Sequence, residues 1–152
     1  MDQVKPERRS AHRTQWAAQF AVASELCKRG YEVAFTMGNH PSVDIMVKSP
    51  GGVSFGIDVK GLYKKNFWVV KPKPLRDSLY YVFAFVPDDG PNEFFVLNQA
   101  EVNAEVEVEF NNARSRAEAK ARSTAKVELF PCISWKRMAE NYKGQWDNCL
   151  PK

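Results

Sequence analysis

Asp44, Asp58 and Lys60 are residue types that carry out hydrolytic chemistry when they converge, and all three fall within the stretch PSVDIMVKSPGGVSFGIDVKG, residues 41–61. The segments VDIMVK (43–48) and VSFGIDVK (53–60) read as strands. Val43, Ile45 and Val47 in the first, and Val53, Phe55, Ile57 and Val59 in the second, are apolar at odd positions. A strand's side chains alternate between faces, so Asp58 and Lys60 share the opposite face. If the two strands bury one common apolar face, paired residue numbers sum to an even value and the loop holds an odd number of residues. A three-residue loop, Pro50-Gly51-Gly52, pairs Asp44 with Asp58. A five-residue loop pairs Asp44 with Lys60. In either register the two carboxylates and the ammonium lie on one face, within roughly 5–8 Å at Cβ. A two-residue Gly-Gly turn would separate them, and the hydrophobic pattern disfavours it.

Adjacent carboxylates repel unless positive charge sits between them. A hard divalent cation, Mg²⁺ or Mn²⁺, does this with oxygen ligands and retained waters. The backbone carbonyl of Val59 could add a ligand, and Lys60 could then orient a water or stabilise charge on a phosphate.

The elements that must hold this hairpin follow from pattern. Residues 14–29, TQWAAQFAVASELCKR, read as a helix with Thr14 as N-cap and Gly30 as C-terminal stop, and with a Trp16, Phe20, Ala23, Leu26/Cys27 stripe. Cys27 reads as a buried apolar residue of that helix. Further strands are expected at 31–37, around 67–71, at 79–86 and at 93–98. The run LYYVFAFV is almost continuously apolar, as a strand covered on both faces would be. AEVNAEVEVEF, residues 100–110, could be helix or alternating strand, since Val102, Val106 and Val108 fit neither template cleanly. ARSRAEAKAR has strong helix propensity but almost no large apolar residue, so a mobile basic segment is expected at about 111–126. Ser134 is the expected N-cap of a closing helix over 134–146. Tyr80, Tyr81, Trp68, Trp135 and Trp146 read first as core residues, although stacking of Trp68 on a base is a second use. The pattern is α/β of the α+β type: a central mixed sheet of about five strands flanked by helices, in a single domain with a loose N-terminal arm at about 1–12.

Composition narrows the function classes. A chain of 152 residues can bury one core. No apolar run approaches a membrane span and the N-terminus lacks a secretory pattern, so a cytoplasmic setting without membrane contact is expected. The cysteines, Cys27, Cys132 and Cys149, are odd in number and lack Cys-x-x-Cys spacing, which argues against a disulfide framework or zinc knuckle. The formal net charge of +4 is concentrated. Residues 60–76 carry Lys60, Lys64, Lys65, Lys71, Lys73 and Arg76 and no acid. Residues 111–126 include Arg114 and Arg116, with Glu118 as their one acid. Lys64, Lys65, Lys71, Lys73, Arg114 and Arg116 are therefore candidates for gripping a phosphate backbone without reading bases.

The helix ending in KRGYEV, the PSVDIMV strand, the GIDVKG strand and the YYVFAFV strand together resemble the PD-(D/E)XK nuclease superfamily over residues 14–98. Its pattern reads here as Asp44, a gap, then Asp58-Val59-Lys60. The resemblance implies a restriction-endonuclease-like fold, similar to small resolvase-like members. It implies Mg²⁺- or Mn²⁺-dependent cleavage of DNA, with Asp44, Asp58 and the Val59 carbonyl on the metal and Lys60 catalytic. Such proteins often dimerise to cut two strands, which makes a homodimer an expectation. Two features depart from the pattern: Pro41 lies three residues before Asp44, and Gln19 stands where a helix Glu is common. At about 100° per residue, Gln19 lies about 40° from the apolar stripe and Glu25 about 160° away, so Gln19 is the residue placed to reach the site. Because Gln19 brings no charge, the alternative is a catalytically degenerate nuclease-like domain that binds nucleic acid or a protein partner. A third reading is an unrelated α/β domain whose charges are solvated.

Overall fold

A computed structural model describes residues 7–120 and 129–152. The chain is α+β, with a five-stranded mixed sheet at its centre. Helix α1 (Ala11–Lys28) leads into β1 (Glu32–Phe35), β2 (Ile45–Lys48) and β3 (Ser54–Leu62). These are followed by β4 (Phe67–Val69), β5 (Leu79–Phe85), β6 (Glu93–Asn98), α2 (Gln99–Lys120), β7 (Cys132–Ser134), α3 (Trp135–Asn141) and α4 (Trp146–Cys149). The sheet order is β1-β2-β3-β5-β6, and β4 and β7 form a separate two-stranded sheet. Strands β1, β2 and β3 are antiparallel neighbours, β3 and β5 run parallel, and β6 returns antiparallel to β5.

The β2–β3 hairpin adopts the three-residue register. Ile45 pairs with Ile57, Val47 with Phe55 and Lys48 with Ser54. The Ser49 carbonyl accepts from Gly52 N at 2.9 Å, and Ser49 N donates to the Val53 carbonyl at 2.8 Å. Gly52 closes the turn at φ 89°, in the region that favours glycine.

Both faces of the sheet are covered, which is why β3 and β5 are buried along most of their lengths. On the odd-numbered face of β3, Ile57 and Val59 pack with Ala18, Val22 and Leu26 of α1 and with Trp146 and Leu150 near the C-terminus. On the other face, Tyr81, Phe83, Phe95 and Leu97 pack with Trp68, Val102, Ile133 and Met138. Phe55, Phe83 and Phe95 are fully buried, each contributing about 1.5–3 kcal/mol of transfer free energy.

Several expectations are corrected. Helix α1 starts three residues before Thr14: Ser10 is the N-cap, and its hydroxyl accepts from Arg13 N at 3.1 Å. Thr14 is buried inside the helix. The helix is also rotated from the expected stripe. Phe20 is 58% exposed and Cys27 is exposed, while Ala18, Val22 and Leu26 face the sheet. Phe20 instead stacks on Trp16 and meets Phe35 edge-on along the flank of the sheet. The arm is tied down from Arg9 onward, where the guanidinium donates to the Val86 carbonyl and pairs with Asp88. The expected strand around 67–71 pairs with β7 and stays outside the main sheet. Residues 99–120 form one continuous helix whose second half is largely exposed, so the basic segment is helical as far as Lys120; residues 121–126 lie outside the described residues. The closing helix is split, with α3 capped by Ser134 and a turn at Gly144 before α4.

Candidate active site

Strand β2 begins at Ile45, and the register breaks there: Asp44 N donates to the Ile57 carbonyl at 2.9 Å, one residue off the Ile45–Ile57 pairing. Val43 packs with Tyr81 on the face opposite Ile45 and Val47, so the expected parity of the first strand fails at Asp44. Beyond that point the β2-facing edge of β3 has lost its neighbour. Side chains replace it. Asp44 Oδ2 accepts from Val59 N at 2.8 Å. One step along, Gln15 of α1 donates from Nε2 to the Val59 carbonyl at 2.7 Å and accepts from Gly61 N at 3.3 Å. A carboxylate and a carboxamide thus satisfy the donors and acceptors that a strand would otherwise pair. Gln19, one turn further along α1, donates to Asp44 Oδ1 at 3.4 Å. Gln19 therefore touches Asp44 and not Asp58. The Val59 carbonyl is already engaged by Gln15, so only its second lone pair could serve a cation.

Asp58 is 2% exposed. Lys60 Nζ lies 2.9 Å from its Oδ1 and Lys73 Nζ 3.6 Å from its Oδ2. Asp58 is thus a buried carboxylate whose two oxygens are each met by an ammonium group. Lys73 is held from behind. Its ammonium donates to Ser42 Oγ at 2.7 Å, and Ser42 sits in the left-handed region at φ 67°. The backbone around Lys73 is fixed by α2. Gln99 donates to the Lys73 and Pro74 carbonyls and accepts from Arg76 N, while Asn103 donates to the Lys73 carbonyl at 3.1 Å.

These groups line a recess of about 260 Å³ formed by Asp58, Lys60, Val69, Val70, Lys71, Lys73 and Tyr81. Tyr81 stands beside Asp58 in the parallel β3–β5 register. Burial first, and then the Asp58 charge, push its hydroxyl up to about 12, so it stays protonated at any ordinary pH. Burial also raises the Asp44 carboxyl. The Val59 amide lowers it, the Asp58 charge raises it, and Lys60 and Lys73 lower it by lesser amounts.

The chemistry of the donor set suits a hard cation. Among the described residues no group of three or more His, Cys, Asp or Glu side chains is arranged to hold a metal. Mg²⁺, however, commonly takes one or two carboxylates and keeps its waters. Asp58, and Asp44 held beside it on the Val59 amide, are the two carboxylates that could supply that pair.

The predicted phosphate contacts divide. Lys71 and Lys73 border the recess. Lys64 and Lys65 lie in the β3–β4 turn, with Lys65 packed over Trp135 at 4.3 Å and Lys64 near Tyr63 at 5.4 Å. Arg114 and Arg116 are elsewhere on α2. Arg114 faces Glu118 at 3.9 Å, and Arg116 borders a different depression with Glu109, Lys136 and Arg137. Trp68 is 3% exposed and edge-on to Phe83 and Phe95, so it belongs to the core. Gln15, Lys73's anchors Gln99 and Asn103, and Tyr81's place in the recess were missed by sequence reasoning. Only Gln15 left a signal there, being four residues before Gln19 on the same helix face.

Set against family models, curated proteins and solved structures, the chain finds no significant match in any of the three. No helix among the described residues is long and apolar enough to cross a membrane.

Proposed function

We propose that the chain is a divalent-metal-dependent nuclease acting on DNA, with a restriction-endonuclease-like fold of the PD-(D/E)XK type. The observation that carries this reading is the buried Asp58, with Asp44 held next to it on the Val59 amide and Lys60 and Lys73 against its carboxylate. Asp44 and Asp58 would hold Mg²⁺ or Mn²⁺. When bound, such an ion polarises a phosphoryl oxygen and makes water a nucleophile near neutral pH. Lys60 and Lys73 line the same recess as Asp58 and would stabilise negative charge developing on a phosphate there, as fixed cations do without reorganisation. Gln19 and the Val59 amide hold Asp44 in place, and Gln15 holds the Val59 peptide. Tyr81, protonated throughout, can donate a hydrogen bond but cannot act as a base.

The test is cleavage of plasmid and branched DNA in Mg²⁺ or Mn²⁺, with EDTA as control. Wild type cuts at least one of these substrates, and on it Asp58→Ala and Lys60→Ala each lose activity by at least a hundredfold. Equal cutting by either variant rules the mechanism out. A second reading, a degenerate domain that only binds nucleic acid, is favoured by one observation: two lysines already face Asp58, and Gln19 adds no charge. Absence of cleavage with any divalent ion, together with salt-dependent DNA binding unchanged by Asp58→Ala, would select it.

A further inference from the structure

The recess opens beside a larger cleft of about 810 Å³, and Lys60 and Val69 line both. The cleft runs between the start of α1 and strand β4. Arg8, Arg9 and Lys60 line it, and none of its lining residues is acidic. Its β4 wall is apolar and open. Phe67 and Val69 alternate with the buried Trp68, so both project from the same face, 51% and 56% exposed. The recess adds Lys71 and Lys73 at its far side. A continuous path therefore carries cations along its length, with an exposed aromatic ring and an aliphatic side chain between them.

We infer that this path binds one unpaired DNA strand and leads its backbone into the Asp58 recess. A duplex turns phosphates outward and keeps its base faces stacked, so it offers nothing to cover Phe67 and Val69. An unpaired strand offers both: phosphates for Arg8, Lys60, Lys71 and Lys73, and a base face for Phe67. The depth of the site agrees. Asp58 is 2% exposed at the bottom of a recess of about 260 Å³, which a single backbone enters more readily than a double helix. The assignment rests on the nuclease reading only for the chemistry done in the recess.

Binding is measured without divalent ions, in EDTA, so that no cutting intervenes. The probes are a fluorescent 20-nucleotide single strand, its duplex and the RNA of the same sequence, read by anisotropy against salt. The single strand is expected to bind at least tenfold tighter than the duplex. Phe67→Ala weakens single-strand binding about tenfold, since stacking on one base is worth about 1–3 kcal/mol, and leaves duplex binding unchanged. Phe67→Trp retains binding. Arg8→Ala lowers the salt slope by about 0.7. Phe67 is half exposed, and matching melting curves establish that its variants are folded. Equal or tighter duplex binding, an Ala variant at Phe67 that binds normally, or tighter binding of the RNA overturns the inference. Cleavage of plain duplex without strand preference overturns it too and leaves the nuclease reading standing. Strand-selective binding without cleavage in Mg²⁺ or Mn²⁺ supports it and removes the nuclease reading instead.

Discussion

Replacing Gly61 with alanine puts a methyl group where α1 crosses β3. That carbon would lie 2.9 Å from Ala18 Cβ and 2.9 Å from the Thr14 carbonyl oxygen. Carbon contacts settle near about 3.5–4.0 Å, so the helix must retreat by roughly 0.6 Å. Neither neighbour has a rotamer to swing aside. Overpacking of this kind costs about 1–3 kcal/mol, and a rigid partner places it in the upper half of that range. Retreat also stretches the Gly61 N to Gln15 bond, already 3.3 Å, past useful length, at about 0.5–1.5 kcal/mol. Against this, alanine gains about 0.5–1 kcal/mol over glycine within a strand. The balance for Gly61→Ala is a loss of about 2–3 kcal/mol, or a Tm lower by about 5–10 °C for a chain of this size. Urea unfolding should show a lower midpoint with unchanged slope. Ala18→Gly in the same chain relieves one of the two contacts, so the double variant should lose less than the sum of the singles. A Gly61→Ala protein within about 0.5 kcal/mol of wild type would refute the close docking of α1 on β3, and with it the role of Gln15.

Further outcomes follow from the recess. Because the folded state raises the Asp44 carboxyl, it binds more protons than the unfolded chain between the ordinary value of 3.8 and the raised one, and stability falls as pH rises through that window. Asp44→Asn should therefore melt higher than wild type at neutral pH and match it below pH 3.8. Mg²⁺ at a hundred times its Kd should raise wild-type stability by about 2.7 kcal/mol and leave Asp44→Asn unmoved; equal shifts would separate the ion from Asp44. Gln99→Ala removes three bonds to the loop carrying Lys73, so unfolding should become easier by about 1–3 kcal/mol and cleavage should fall with it; unchanged cleavage would show that Lys73 needs no anchoring.

The three-residue turn and the alternation of β3, which sets Asp58 and Lys60 opposite Ile57 and Val59, were legible from parity. Parity failed at the start of the first strand, where Asp44 steps out of register and Val43 crosses to the other face, because a one-residue bulge leaves no mark in an apolar alternation. The rotation of α1 was not legible. Its apolar residues cover too wide an arc, and the flank of the sheet, where Phe35 sits, accepts Trp16 and Phe20 as well as the core would. Its start was missed because Ala11, His12 and Arg13 carry no apolar periodicity, so only the Ser10 cap marks them. Contacts between distant segments left no trace in the sequence. β4 pairs with β7 across more than sixty residues, and Gln99 reaches back to Lys73. Lys73 could be named from the sequence as a cation, but its place on Asp58 depends on that anchoring.

The central claim is that Asp44 and Asp58 form a cation site, and Mn²⁺ binding to the full chain, counted by electron paramagnetic resonance, tests it most directly. One tightly held Mn²⁺ per wild-type chain, lost in both Asp44→Asn and Asp58→Asn while each variant remains folded, is the predicted result. Wild type that holds no Mn²⁺, or variants that hold it as well as wild type, would contradict the account.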